Sequence, residues 1–137
     1  MFVYTYLHRV RYRECDPMGV VYHTHYLDYF EASRTEGLRE LGLAYKTLED
    51  EGIRMPVIDL AVQYKRSAQY DDLLEIKTVF AGVPSTRIRI DYEVRRQGEP
   101  DLLVSGHVTL CFFDAARNRP VVAPARIRRL FEALPSV

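Results

Sequence analysis

The sequence predicts an α+β fold in which one antiparallel sheet lies against one long helix. Three observations predict it. Residues 24–41 carry apolar side chains at helical spacing. Four later runs, Val57–Tyr64, Leu73–Phe80, residues 87–94 and residues 102–113, are rich in β-branched and aromatic residues. The links at 81–85 and 97–100 are short and hold Gly and Pro, which favours antiparallel neighbours.

Taken in order, residues 3–14 read as a strand with His8, Val10 and Tyr12 on one face and Arg9, Arg11 and Arg13 on the other. Asp16, Pro17 and Gly19 then punctuate the chain. In the 24–41 helix, Leu27, Phe30, Arg34, Leu38 and Leu41 share a face. Ala32, Ser33 and Gly37 supply small positions for close packing, Thr24 is placed as N-cap, and Gly42 stands where a C′ glycine belongs. A second short helix covers 44–50 and closes at Gly52. Residues 87–94 alternate cleanly, which predicts one buried face and one charged face. Pro124 opens a C-terminal helix carrying Ile127, Leu130, Phe131 and Leu134. No repeat or linker divides the chain, so residues 1–137 read as a single domain.

Lys plus Arg and Asp plus Glu both number 19, a balance that argues against a general nucleic-acid or anionic-membrane binder. No apolar run is long enough to span a bilayer, so no membrane insertion is expected. The first residues lack the charge and apolar pattern of a signal peptide. Cys15 and Cys111 make neither a disulfide framework nor a zinc ribbon. Together these features predict a cytoplasmic protein with reduced thiols.

The chemistry concentrates in residues 16–26. Asp16 puts a carboxylate at a turn, a short apolar segment follows, and a helix begins near His23 and Thr24. A helix start presents unpaired backbone N–H groups and the positive end of a dipole. A carboxylate facing that terminus is a layout for hydrolysing an activated acyl group: the carboxylate attacks or activates water while N–H groups hold the carbonyl oxygen. Asp before Pro also commonly just starts a turn.

At this segment the chain resembles the hotdog-fold acyl-CoA thioesterases of the 4-hydroxybenzoyl-CoA thioesterase type, most closely their branch associated with the Tol-Pal operon. Tyr12, Asp16, Gly19, Val20, Val21, Tyr22, His23 and Tyr26 carry the resemblance, with Phe30 to Glu36 in the helix. It implies a curved antiparallel sheet wrapped around one long central helix, subunits paired edge to edge, and active sites at the subunit interface. It implies a homodimer or homotetramer that hydrolyses an acyl-CoA thioester to a carboxylic acid and free coenzyme A. Acyl-carrier protein is the alternative carrier, and a non-catalytic acyl-CoA-binding or scaffold module the alternative function. No metal and no cofactor are implied, coenzyme A being part of the substrate. Asp16 takes the role of catalytic carboxylate, as general base or as nucleophile, and the backbone N–H near His23 polarises the carbonyl. The His23 side chain is assigned to orienting Asp16. Gly19, Val21, Tyr22 and Tyr26 are expected to line the substrate site.

Other residues compete for these roles. Glu31 in the helix is the reserve carboxylate, and it also has Arg34 at i, i+3 for a partner. Cys15 is expected to face away from the site, and its acidic neighbours disfavour thiolate. His23 and His25 do not share a helix face, which argues against a metal pair. Lys65, Arg66, Arg87, Arg89 and Arg119 are candidate partners for coenzyme A phosphates, with Arg87 and Arg89 the best pair because they share a strand face.

Overall fold

The computed structural model describes residues 1–135; Ser136 and Val137, the end of the expected domain, lie outside them. Strand β1 (Phe2–Arg9) leads into a 3₁₀ turn (Tyr12–Glu14), then α1 (His25–Glu40) and α2 (Tyr45–Asp50). There follow β2 (Ile53–Arg54), β3 (Val57–Tyr64), β4 (Leu73–Phe80), β5 (Arg87–Arg96), β6 (Leu102–Cys111), β7 (Phe113–Asp114), β8 (Arg119–Pro120) and α3 (Ala125–Glu132). The main sheet is five-stranded and antiparallel in the order β1-β4-β5-β6-β3, and a small second sheet has the order β2-β7-β8. No helix among the described residues is long and apolar enough to cross a membrane.

The strand alternation predicted for 87–94 is the wall of the core. Ile88, Ile90, Tyr92 and Val94 are buried, while Arg87 and Arg89 point outward. Helix α1 lies on the buried face: Phe30 stacks on Tyr92 with ring centroids 4.2 Å apart, and the Ser33 and Thr78 hydroxyls hydrogen-bond within the core. Gly37 is small because a Cβ there would come within 2.9 Å of the Phe80 ring. Gly106 is tighter still, since its Cβ would stand 2.7 Å from the Ala61 carbonyl oxygen and 2.9 Å from Phe30. Gly106→Ala is therefore expected to cost roughly 1–3 kcal/mol by overpacking. A thermal melt with an unchanged midpoint would refute that.

Three sequence expectations are corrected. The first strand ends at Arg9, not at residue 14, because the chain turns into the 3₁₀ segment; alternation among the Arg residues there is not strand pairing. The 102–113 run divides at Phe112, which is buried and hands the chain to the small sheet. Thr24 does precede α1, but in helical φ/ψ and with no side-chain cap bond. The buried face of α1 is Tyr26, Tyr29, Phe30, Ser33, Arg34, Gly37 and Leu38, with Leu27 and Leu41 only partly covered.

The edge strand β3 departs from the rest. It pairs only with β6, and Val57, Ile58, Leu60 and Tyr64 are between 43% and 49% exposed. An apolar, unpaired strand edge is a template for another strand.

Candidate active site

Residues 14–22 fold back on themselves. Tyr22 N–H donates to the Glu14 carbonyl at 2.8 Å, and Asp16 N–H donates to the Val20 carbonyl at 2.9 Å. The loop docks on the following segment, where Val21 N–H donates to the Ala68 carbonyl at 2.9 Å and Val20 bridges Gln69. Gly19 sits in the turn at φ +79°, a conformation that glycine adopts without steric cost. Asp16 Oδ1 accepts the Met18 N–H at 2.8 Å. That bond is a turn cap, so the structural role expected of Asp before Pro is present. The other carboxylate oxygen has no hydrogen-bond partner among the described residues.

Asp16 shares a cavity of about 290 Å³ with Val20, Val21, Tyr22, His23, Tyr26, Tyr64 and Lys65. Its far wall is the start of α1. His25 N–H donates to the Tyr22 carbonyl and Leu27 N–H to the Thr24 carbonyl, but the His23 N–H has no partner among the described residues. Tyr64 Oη donates to the His23 carbonyl at 2.9 Å, which ties this peptide to β3. Asp16 and His23, the latter just ahead of the positive end of a sixteen-residue helix and with its N–H unpaired among the described residues, thus line one small cavity.

The predicted residues divide by place. Asp16, Val21, Tyr22, His23, Tyr26, Lys65 and Arg66 line the cavity together. Val21 and Tyr26 are buried and form its floor, whereas Tyr22 is 46% exposed. Gly19 shapes the loop rather than the wall. The His23 ring packs on Tyr22 and Tyr64 and makes no hydrogen bond to Asp16. Cys15 is not among the lining residues, and burial, then Glu14 and Asp16, push its thiol above the ordinary range. Lys65 has no ion pair among the described residues, whereas Arg66 pairs with Asp101 at 3.3 Å.

Arg87 and Arg89 are not brought to the Asp16 cavity within one chain. Arg87 pairs in register with Cys111, while Tyr64 pairs with Val104, which in turn pairs with Val94. Arg87 and Val94 are about 23 Å apart along β5 at a rise of ~3.3 Å per residue. Arg89 also turns to Asp91 at 3.1 Å. Glu31 likewise lies elsewhere, on a larger cleft beside Arg34, and the two form no ion pair because Arg34 turns to Tyr45. His25 pairs with Asp28 at 3.1 Å.

Sequence reasoning missed Glu14. It is 7% exposed, and its Oε1 accepts from His8 Nε2 at 2.8 Å, Tyr29 Oη at 2.9 Å and the Arg11 N–H at 3.0 Å. These bonds join β1, the 3₁₀ turn and α1 directly behind the Asp16 loop. Burial pushes the Glu14 carboxyl up, but the three donors outweigh it and hold the group below its ordinary value. Burial and the neighbouring carboxylate together push the Tyr29 hydroxyl far up. A glutamate among arginines reads as solvated surface; the signal that could have found it is the burial of Val10 and Val21 on either side.

Comparison with known proteins bears on the family and the fold. Residues 10–131 match the profile of the thioesterase-like superfamily. The chain is 35% identical over 127 residues to an acyl-CoA thioesterase, YbgC, of Haemophilus influenzae, an alignment covering 92% of each. Among solved structures, a hypothetical protein of Thermus thermophilus superposes with a TM-score of 0.88 at 30% identity, covering 99% of this chain and 100% of that one. A DHNA-CoA thioesterase of Staphylococcus aureus superposes at 0.82 with 31% identity, covering 89% and 81%. The sheet wrapped on one helix is the hotdog fold.

Proposed function

This chain belongs to the thioesterase-like superfamily, and from that premise we propose that it hydrolyses acyl-CoA thioesters at the Asp16 cavity. The observation that carries the proposal is that Asp16 and His23, whose N–H has no partner among the described residues, line one cavity. The thioester carbonyl oxygen takes the His23 N–H, whose donor strength the helix dipole reinforces. Asp16 either removes a proton from water as water attacks the carbonyl carbon, or attacks that carbon itself to give a mixed anhydride that water then cleaves. Collapse of the tetrahedral intermediate breaks the carbon–sulfur bond. The products are a carboxylic acid and the coenzyme A thiol. No step calls for a metal or a redox cofactor. The His23 side chain is secondary here, since its contribution is a main-chain N–H.

The cavity holds the thioester end of a substrate rather than a whole acyl-CoA, because sites for drug-sized ligands run to roughly 300–1,000 Å³. Lys65 is the proposed phosphate partner, being the unpaired cation on the rim. Lys65→Ala is expected to raise KM severalfold with kcat nearly unchanged, the mark of lost uniform binding. The exposed apolar edge of β3 supports a homodimer, on which a homotetramer can be built. Leu60→Asp is expected to convert that dimer to monomer in sedimentation velocity, and an unchanged mass would remove β3 as the interface.

The test of the activity is thiol release from short, long and aromatic acyl-CoAs, with an acyl-carrier-protein thioester alongside. Hydrolysis of a coenzyme A thioester is the expected result, in the cytoplasmic setting where that carrier is found. No release from any member would overturn the proposal in favour of a binding module.

A further inference from the structure

Arg34 is a charged side chain buried without a counter-ion. It is 8% exposed, and its hydrogen bond is from Nε to the Tyr45 hydroxyl at 3.1 Å. No carboxylate lies within 4 Å of it among the described residues. Guanidinium stays protonated, so the charge persists. Beside it the fully buried Tyr92 hydroxyl has the Arg34 guanidinium as its polar neighbour and makes no other hydrogen bond among the described residues. A buried charge in a protein interior is ordinarily paired.

The guanidinium opens onto a cleft of about 900 Å³. Met55, Pro56, Phe113 and Ala115 give that cleft apolar walls, and Tyr45 flanks the charge. Two carboxylates reach its rim. Glu49 is engaged by Arg54 at 3.6 Å, and Glu31 is exposed and makes no ion pair among the described residues. The cleft shares no lining residue with the Asp16 cavity.

We propose that the cleft beside α1 binds an amphipathic carboxylate, with its apolar body against Met55, Pro56 and Phe113 and its carboxylate on the Arg34 guanidinium. A forked donor matches a carboxylate in two parallel bonds, and the apolar walls select an anion with a hydrocarbon body over a bare one. The inference does not rest on hydrolysis, because the ligand is a free acid.

The experiment is calorimetric titration of the full chain with octanoate, 1-octanol, inorganic phosphate and free coenzyme A, in the absence of any thioester. Octanoate is expected to bind about tenfold or more tighter than octanol, whose body is the same without the charge. Arg34→Met is expected to reduce that ratio to about one while retaining the circular dichroism spectrum of the parent. Ala115→Trp, at an exposed position on the cleft wall, guards against a folding defect at Arg34: it is expected to weaken octanoate binding severalfold. Equal affinity for octanoate and octanol overturns the proposal, as does unchanged octanoate binding in either variant. Displacement of octanoate by phosphate or coenzyme A at equal concentration also overturns it, by assigning Arg34 to phosphate. Absence of any binding ends the proposal. None of these results depends on whether thioesters are hydrolysed.

Discussion

Replacing Asp16 by Asn is expected to lower kcat for acyl-CoA hydrolysis by about two to four orders of magnitude, the range for loss of a positioned base or nucleophile. The substitution suits the site because it preserves what is structural about Asp16. Oδ1 accepts the Met18 N–H at 2.8 Å, and an asparagine oxygen accepts the same bond. The loop is otherwise held by main-chain bonds from Asp16 to Val20 and from Gly19 to Asp16, which no side-chain change touches. The variant is therefore expected to melt within about 1 °C of the parent. KM is expected to move little, since the bound thioester still meets the His23 N–H. Near-normal turnover would leave Asp16 as a turn residue and send the search to Glu31.

The same residue allows base and nucleophile to be told apart. In water enriched in oxygen-18, label in the Asp16 carboxylate after a few turnovers identifies a nucleophile whose mixed anhydride water cleaves at the Asp16 carbonyl. A general base sends label only to the product acid. Peptide mass spectrometry of residues 12–22 after single and multiple turnovers reads the difference directly.

Much of this architecture is legible in the residues because burial follows strand period. Ile88, Ile90, Tyr92 and Val94 alternate with charged neighbours, and the structure buries that face. Gly37 was legible too, since a glycine in the middle of a helix needs a packing reason and the Phe80 ring supplies it. Two-residue strands have no period to read, so β2, β7 and β8 were invisible. Alternation also misled at 10–14, where turn geometry replaces pairing. At the site, the Asp16 and His23 neighbourhood is local in sequence and could be read as a segment. The wall made by Tyr64 and Lys65 comes from more than forty residues downstream, through the |i−j| of 41 between Tyr64 and His23, and only the fold brings it there. Arg34 offered a signal of its own, a charge at an apolar position of the helical stripe.

Glu14→Ala is expected to be the most destabilising single substitution near the site, costing about 3 kcal/mol and lowering the melting temperature by roughly 10 °C. Alanine leaves three donors, the His8 ring, the Tyr29 hydroxyl and the Arg11 N–H, without their shared acceptor. Tyr29 is 3% exposed, so its hydroxyl has little access to water as a replacement. Glu14→Gln keeps one acceptor oxygen and removes the charge, and is expected to cost about half as much. The pH dependence follows from the sign of the shift. The Glu14 carboxyl sits below its ordinary value of 4.5 when folded, so its contribution is fully present above that value and is lost as pH falls through the lowered one. The wild-type melting temperature is thus expected to fall more steeply than that of Glu14→Gln as the pH drops below the ordinary carboxyl value of 4.5, the two curves converging at the acid end. Parallel curves would mean that Glu14 contributes no charge to the folded state. A Glu14→Ala melt close to that of wild type would mean that solvent satisfies the three donors, and that the tie between β1 and α1 behind the Asp16 loop rests on packing alone.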